Sequence, residues 1–169
     1  MDFQDVTLVN GDVVRVYRPP TSRLLAEVEK LHPRPQPPVK TETTKSGREI
    51  VMRIEDDPDY LKSLVQWEQE IRYRVDEMAS LWTFKDERPP DDWSVEDEVG
   101  DEMRYFNPDW RAREGKVGKK LDWIEWHING DPVDALHIQQ ALNELMNIDM
   151  EEVAQVEESF RDSVEGTAA

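Results

Sequence analysis

Twice this chain places aspartate-proline directly ahead of an apolar run with helical spacing, at Asp57-Pro58 and at Asp131-Pro132. Aspartate accepts hydrogen bonds from the unsatisfied amides of a first helical turn. Proline fits the first helical position, where no amide partner is needed. The first pair opens the longest run, with Leu61, Leu64, Trp67, Ile71, Val75, Met78 and Trp82 near one face. Asp59 at its start and Arg72 and Arg74 past its midpoint suit the helix dipole. It should end near Phe84, ahead of Pro89-Pro90. The second pair opens a helix over 133–146, with Leu136, Ile138, Ala141, Leu142 and Leu145 as its apolar positions. Two such helices make the chain mainly helical.

The other helices follow from caps and stops. Lys119 to Ile128 reads as a helix ended by Asn129-Gly130. A last helix starts at Asp149, with Glu152 as its capping-box partner, and runs through Val153, Val156 and Phe160, and the tail from Gly166 frays. Thr21 or Ser22 caps a short helix carrying Leu24, Leu25, Val28 and Leu31. Ser94 and Asp97 resemble a capping box for a short helix reaching Tyr105. The stretch Trp110 to Lys120, basic and holding Gly115 and Gly118, reads as a loop.

The N-terminal part is different. Val6 to Tyr17 reads as a β-hairpin, because β-branched runs flank Asn10-Gly11 and Asn-Gly favours a tight turn. Prolines 33, 35, 37 and 38 make a stiff, extended connector, and a PxxP match within it reads as part of that spacer. Val39 to Lys45 and Glu49 to Ile54 flank Ser46-Gly47-Arg48 as a second, more polar hairpin. An isolated hairpin is barely stable, so the two are expected to share one small sheet. The expected class is α+β, mainly helical: a β-rich portion with its connector over 1–55, a helical region over 56–165 and a short tail over 166–169.

Charge narrows the partners. The 169 residues carry 21 basic and 38 acidic side chains, a formal charge of −17. That balance argues against bare nucleic acid and anionic membranes, both polyanions, and favours basic partners. Nine of the acids lie between Asp86 and Glu102. Hydrophobic residues make up 37%, a thin supply for a core, which six tryptophans partly offset. Without cysteine there are no disulfides and no thiolate zinc sites. No apolar run approaches the roughly 20 residues that span a bilayer, and the start lacks the pattern of a signal peptide. A cytoplasmic protein is expected.

No grouping calls for catalysis. Asp56, Asp57 and Asp59 offer hard oxygens for a cation, but Asp57 is needed as a cap and the spacing lacks the glycine and distal glutamate of an EF-hand. Asp91-Asp92 and Glu96-Asp97-Glu98 read as solvated faces. His127 and His137 do not make the two-histidine turn of a zinc protease. The serines sit in no nucleophile elbow, and no glycine-rich phosphate loop occurs. No enzyme activity, cofactor or metal is expected. Trp123 and Trp126, three apart, read first as core packing, with anchors for a partner groove as the alternative.

Several segments resemble a known family. They are Val6-Thr-Leu with Gly11 and Val13-Val-Arg-Val16, the proline-rich connector, Ser46-Gly-Arg-Glu49, Asp56-Asp-Pro-Asp-Tyr-Leu61, and Ile148-Asp-Met-Glu-Glu-Val-Ala-Gln-Val-Glu-Glu-Ser-Phe160. Together they look like the tail assembly chaperones of long-tailed bacteriophages. The resemblance implies a non-enzymatic protein that binds the long, helical tape measure protein and keeps it soluble until tail tube subunits polymerise around it. It implies action in the infected host's cytoplasm and absence from the mature virion. On that reading Trp67, Trp82, Trp123, Trp126 and Phe160 are the candidate contact residues. Self-association stays open. Two other readings remain: an acidic DNA mimic that occupies a nucleic-acid-binding protein, and a structural virion component.

Overall fold

A computed structural model describes residues 3–146. The fold is α+β and mainly helical, with two small antiparallel sheets followed by helices. In chain order the elements are β1 (Phe3–Thr7), β2 (Val13–Tyr17), α1 (Thr21–Leu31), β3 (Val39–Thr43), β4 (Glu49–Arg53) and α2 (Pro58–Thr83). A π-helical segment (Glu96–Gly100) leads into α3 (Asp101–Phe106). Then α4 (Gly115–Asp122) runs into a second π segment (Trp123–Ile128), and α5 (Pro132–Leu145) follows. The helix expected from Asp149 through Phe160 lies outside the described residues.

The chain divides into two compact units. Of the described residues, 3–19 and 80–146 form a terminal unit and 20–79 a central unit. The boundary expected near residue 55 separates strand-rich from helical sequence, and packing follows a different line. The first hairpin belongs with the C-terminal helices.

Each hairpin forms its own two-stranded sheet, which corrects the expected shared sheet. Their turns are alike. Leu8 N donates to Asp12 O and Gly11 N to Leu8 O. Thr44 N donates to Arg48 O and Gly47 N to Thr44 O. Each closing pair therefore encloses three residues, with glycine third at φ 91° or 79°. Only glycine enters that left-handed region without cost.

In the terminal unit, Val6 pairs with Val14, and these two with Leu8 and Val16 give the hairpin a buried face. Phe84, Trp123, Ile124, Ile128, Ile138 and Ala141 complete its core. The polar links are specific. Asp131 caps α5 by accepting from Val133 N at 2.8 Å, as the aspartate-proline pair predicts. The buried carboxylate of Asp134 accepts from Val9 N at 2.7 Å, tying the hairpin turn to the first turn of α5.

Two sequence expectations need correction here. The basic stretch is irregular only as far as Glu114, because α4 begins at Gly115 and includes Gly118. Gly118 is buried, and a Cβ on it would stand 2.8 Å from the Arg113 carbonyl carbon. It marks close approach to the preceding loop rather than a flexible loop. Buried Asp122 fixes that loop by accepting from Arg113 N at 2.9 Å and Arg113 Nη1 at 2.6 Å. The second correction concerns α1. Neither Thr21 nor Ser22 caps it. Thr21 is its first residue, and the carbonyl of Pro20 accepts from Arg23 N and Leu24 N. At α2 the expected cap holds: Asp57 Oδ1 accepts from Tyr60 N at 2.9 Å.

The π segment over 123–128 closes on Asn129, whose amide reaches Ile124 O, five residues back, at 2.9 Å. The next residue, Gly130, ends it for a reason other than positive φ. A Cβ there would lie 2.0 Å from Trp126 O. Gly130→Ala and Gly118→Ala are therefore expected to destabilise the protein by about 1–3 kcal/mol each, as overpacking does. Gly130→Ala should be the worse. Urea unfolding midpoints at unchanged slope would check this.

Candidate functional site

The central unit holds an apolar groove between α1 and α2. One stripe of α1 (Thr21, Leu25, Glu29) and two of α2 line it, Trp67-Ile71-Val75 and Glu68-Arg72-Asp76. Each stripe has a spacing of four, which stacks its side chains along one line of a helix. Beneath lie Val28, Ile71 and Val75, all buried, with Trp67 and Met78 against them. Leu25 is 39% exposed, so the groove keeps an accessible apolar wall. Glu29, Glu68 and Asp76 stand along it with one cation, Arg72. The hollow measures about 280 Å³. Each stripe spans eight residue steps, about 12 Å of length at 1.5 Å per residue.

Trp67 is held rather than free. Its Nε1 donates to the carbonyl of His32 at 2.7 Å, and the Arg34 guanidinium stands 5.9 Å from its ring centroid. His32 is the C-cap of α1, so the indole satisfies a carbonyl that the helix leaves open. A second, more polar hollow of about 440 Å³ lies in the same unit, where Arg34 to Pro37 face Arg53, Glu55, Tyr60 and two leucines of α2.

Of the other sequence-predicted contact residues, Trp82, Trp123 and Trp126 belong to the terminal unit. Trp82, 41% exposed, lies in the terminal unit with Lys85 Nζ 5.5 Å from its ring centroid. Lys85 also sits 3.9 Å above the Tyr17 ring, and the Tyr17 hydroxyl donates to Asp86. Trp123 is core, 6% exposed, and its buried Nε1 has no hydrogen-bond partner among the described residues. Trp126 is half-buried. Phe160 lies outside the described residues.

A histidine cluster occupies the terminal unit, between the two π segments. His127 stacks on Trp123 at 5.8 Å, meets the edge of Trp93 at 6.4 Å and lies 3.3 Å from both carboxylate oxygens of Glu98. Trp93 Nε1 donates to the same carboxylate. Sequence reasoning kept His127 apart from Glu98, 29 positions away. Only the fold makes them neighbours. No nucleophile adjoins the pair in these contacts, and the imidazole is held chiefly by packing. Among the described residues, no group of three or more His, Asp or Glu could hold a metal ion. Asp57 serves as a cap there. No helix among them is long and apolar enough to cross a membrane.

No family model, curated protein or solved structure matches the chain.

Two predictions follow from these contacts. Trp67→Phe should cost about 0.5–1.5 kcal/mol, the worth of one hydrogen bond, and chemical denaturation would check it. Tyr17 should ionise above the usual tyrosine range, because its hydrogen bond to Asp86, partial burial and the Asp86 charge all favour the protonated phenol. The folded state then holds this proton longer than the unfolded chain. The linked stabilisation is complete below the ordinary tyrosine pKa and is lost as pH rises through Tyr17's own. Absorbance titration should show a tyrosine that ionises late, and Asp86→Asn should bring it back toward the usual tyrosine range.

Proposed function

We propose that this protein is a non-enzymatic tail assembly chaperone that binds the tape measure protein of a long-tailed bacteriophage and keeps it soluble in the host cytoplasm. The observation that carries the reading is the α1–α2 groove, with its apolar floor and three carboxylates beside one cation. A helix laid into such a groove presents anchors at i, i+3 or i+4, and i+7. Two turns of groove match that length. The acids favour a cargo helix with basic flanks. Docking there covers apolar cargo surface that would otherwise self-associate. The formal charge of −17 would keep loaded complexes dissolved. Contacts over so small an area are weak enough for tail tube subunits to displace.

The test is co-expression with the tape measure protein of the same genome, scored for soluble, co-purifying cargo. The native chain should raise soluble cargo several-fold. Leu25→Glu, at a half-open position, should abolish that rise while leaving the circular dichroism spectrum unchanged. Cargo that stays insoluble with the native chain would overturn the reading. Recovery of the chain from purified virions would overturn its transient character.

A further inference from the structure

The β3–β4 hairpin lacks what holds the first hairpin in place. All ten of its strand residues are exposed. The register places Val39 and Val51 on one face and Ile50 and Met52 on the other, with exposures from 41% to 64%. A two-stranded hairpin without a covered face is marginal in water. Its charge also runs against the rest of the chain. Residues 39–53 carry Lys40, Lys45, Arg48 and Arg53 against Glu42 and Glu49. Lys40 pairs with Glu42 at 2.7 Å. Among the described residues, no ion pair forms with Lys45, Arg48 or Arg53.

The complementary surface lies on α3. Tyr105 and Phe106 are 83% and 80% exposed and touch edge to face at 5.3 Å. Asp101 and Glu102 stand four residues before them, one turn along the same helix. Both acids are exposed, and Asp101 has only a long contact of 3.5 Å to Arg104. Two exposed rings beside two acids match exposed aliphatic residues beside unpaired cations.

We propose that the protein self-associates head to tail, with the β3–β4 hairpin of one copy docking on α3 of a second copy. The face carrying Val39, Val51 and Arg53 meets Tyr105 and Phe106, and Arg53 with the turn cations Lys45 and Arg48 meets Asp101 and Glu102. The interface is heterologous, so each copy keeps one unused half and assembly continues to rings or short filaments. The patches are small and exposed, so association is reversible.

Sedimentation velocity of the full chain tests this over a concentration series at physiological salt, which screens much of the repulsion between copies of charge −17. Association should grow with concentration. A hairpin variant, Lys45→Glu with Arg48→Glu, and a helix variant, Asp101→Lys with Glu102→Lys, should each stay monomeric with unchanged circular dichroism. Mixed together, they have one native hairpin and one native helix face between them. They should form a 1:1 dimer that grows no further. Tyr105→Gln with Phe106→Gln, mixed with the hairpin variant, should behave the same way and does not depend on charge reversal. A native chain that stays monomeric throughout would overturn the proposal. So would variants that associate like the native chain, mixtures that remain monomeric, or a helix variant that dimerises by itself because hairpins pair with each other.

Discussion

The terminal unit depends on one part-buried hydrogen bond across 125 residues of sequence, from the amide of Val9 to the buried carboxylate of Asp134. A short hairpin with one apolar face is not stable by itself. Its partners here are α5 and the second π segment, which enter the chain only after residue 122. Asp134 fixes where α5 starts against the hairpin turn. Asp131, three residues earlier, satisfies the helix's own amides. One short acidic stretch thus sets both the start of a helix and its docking. Losing the acceptor would leave a part-buried amide unpaired, a cost of about 1–3 kcal/mol.

Much of this was legible in the sequence. Asp57-Pro58 and Asp131-Pro132 located two helix starts because capping is local chemistry: the donor and acceptor lie within three residues of each other. Both hairpins were legible for the same reason. What the sequence did not reveal depended on distant contacts. Gly118 and Gly130 look like loop and stop signals, yet each is required by a backbone atom a few residues away in a particular helical geometry. The π segments left no mark in apolar periodicity, because at five and six residues each is too short to show a period of its own. The two separate sheets were also hidden, since strand sequence names a partner strand in the hairpin but not in the tertiary fold.

The candidate site was half legible. Trp67 stood out as a large aromatic on the buried face of α2, and it does line the groove. The groove itself comes from pairing α1 with α2, and no spacing rule reports which helix lies beside which. Trp123 looked just as suitable by type and spacing. It is consumed by the core, where β1–β2 covers it. Aromatic content therefore identified the kind of residue involved, while burial decided which copies of it were left to act.

The second hairpin has a further consequence for the solubility of the chain. Its β4 strand offers Ile50-Val51-Met52 on an open edge, the sort of template that recruits strands from other molecules into cross-β stacks. Glu49 and Arg53 bracket that run and cut it to three residues, about half the length that such zippers need. They act as gatekeepers: each stacked layer would bring like charges into register at both ends of the run. The strand can thus stay exposed for a specific partner while growth into fibrils is opposed by its own flanks.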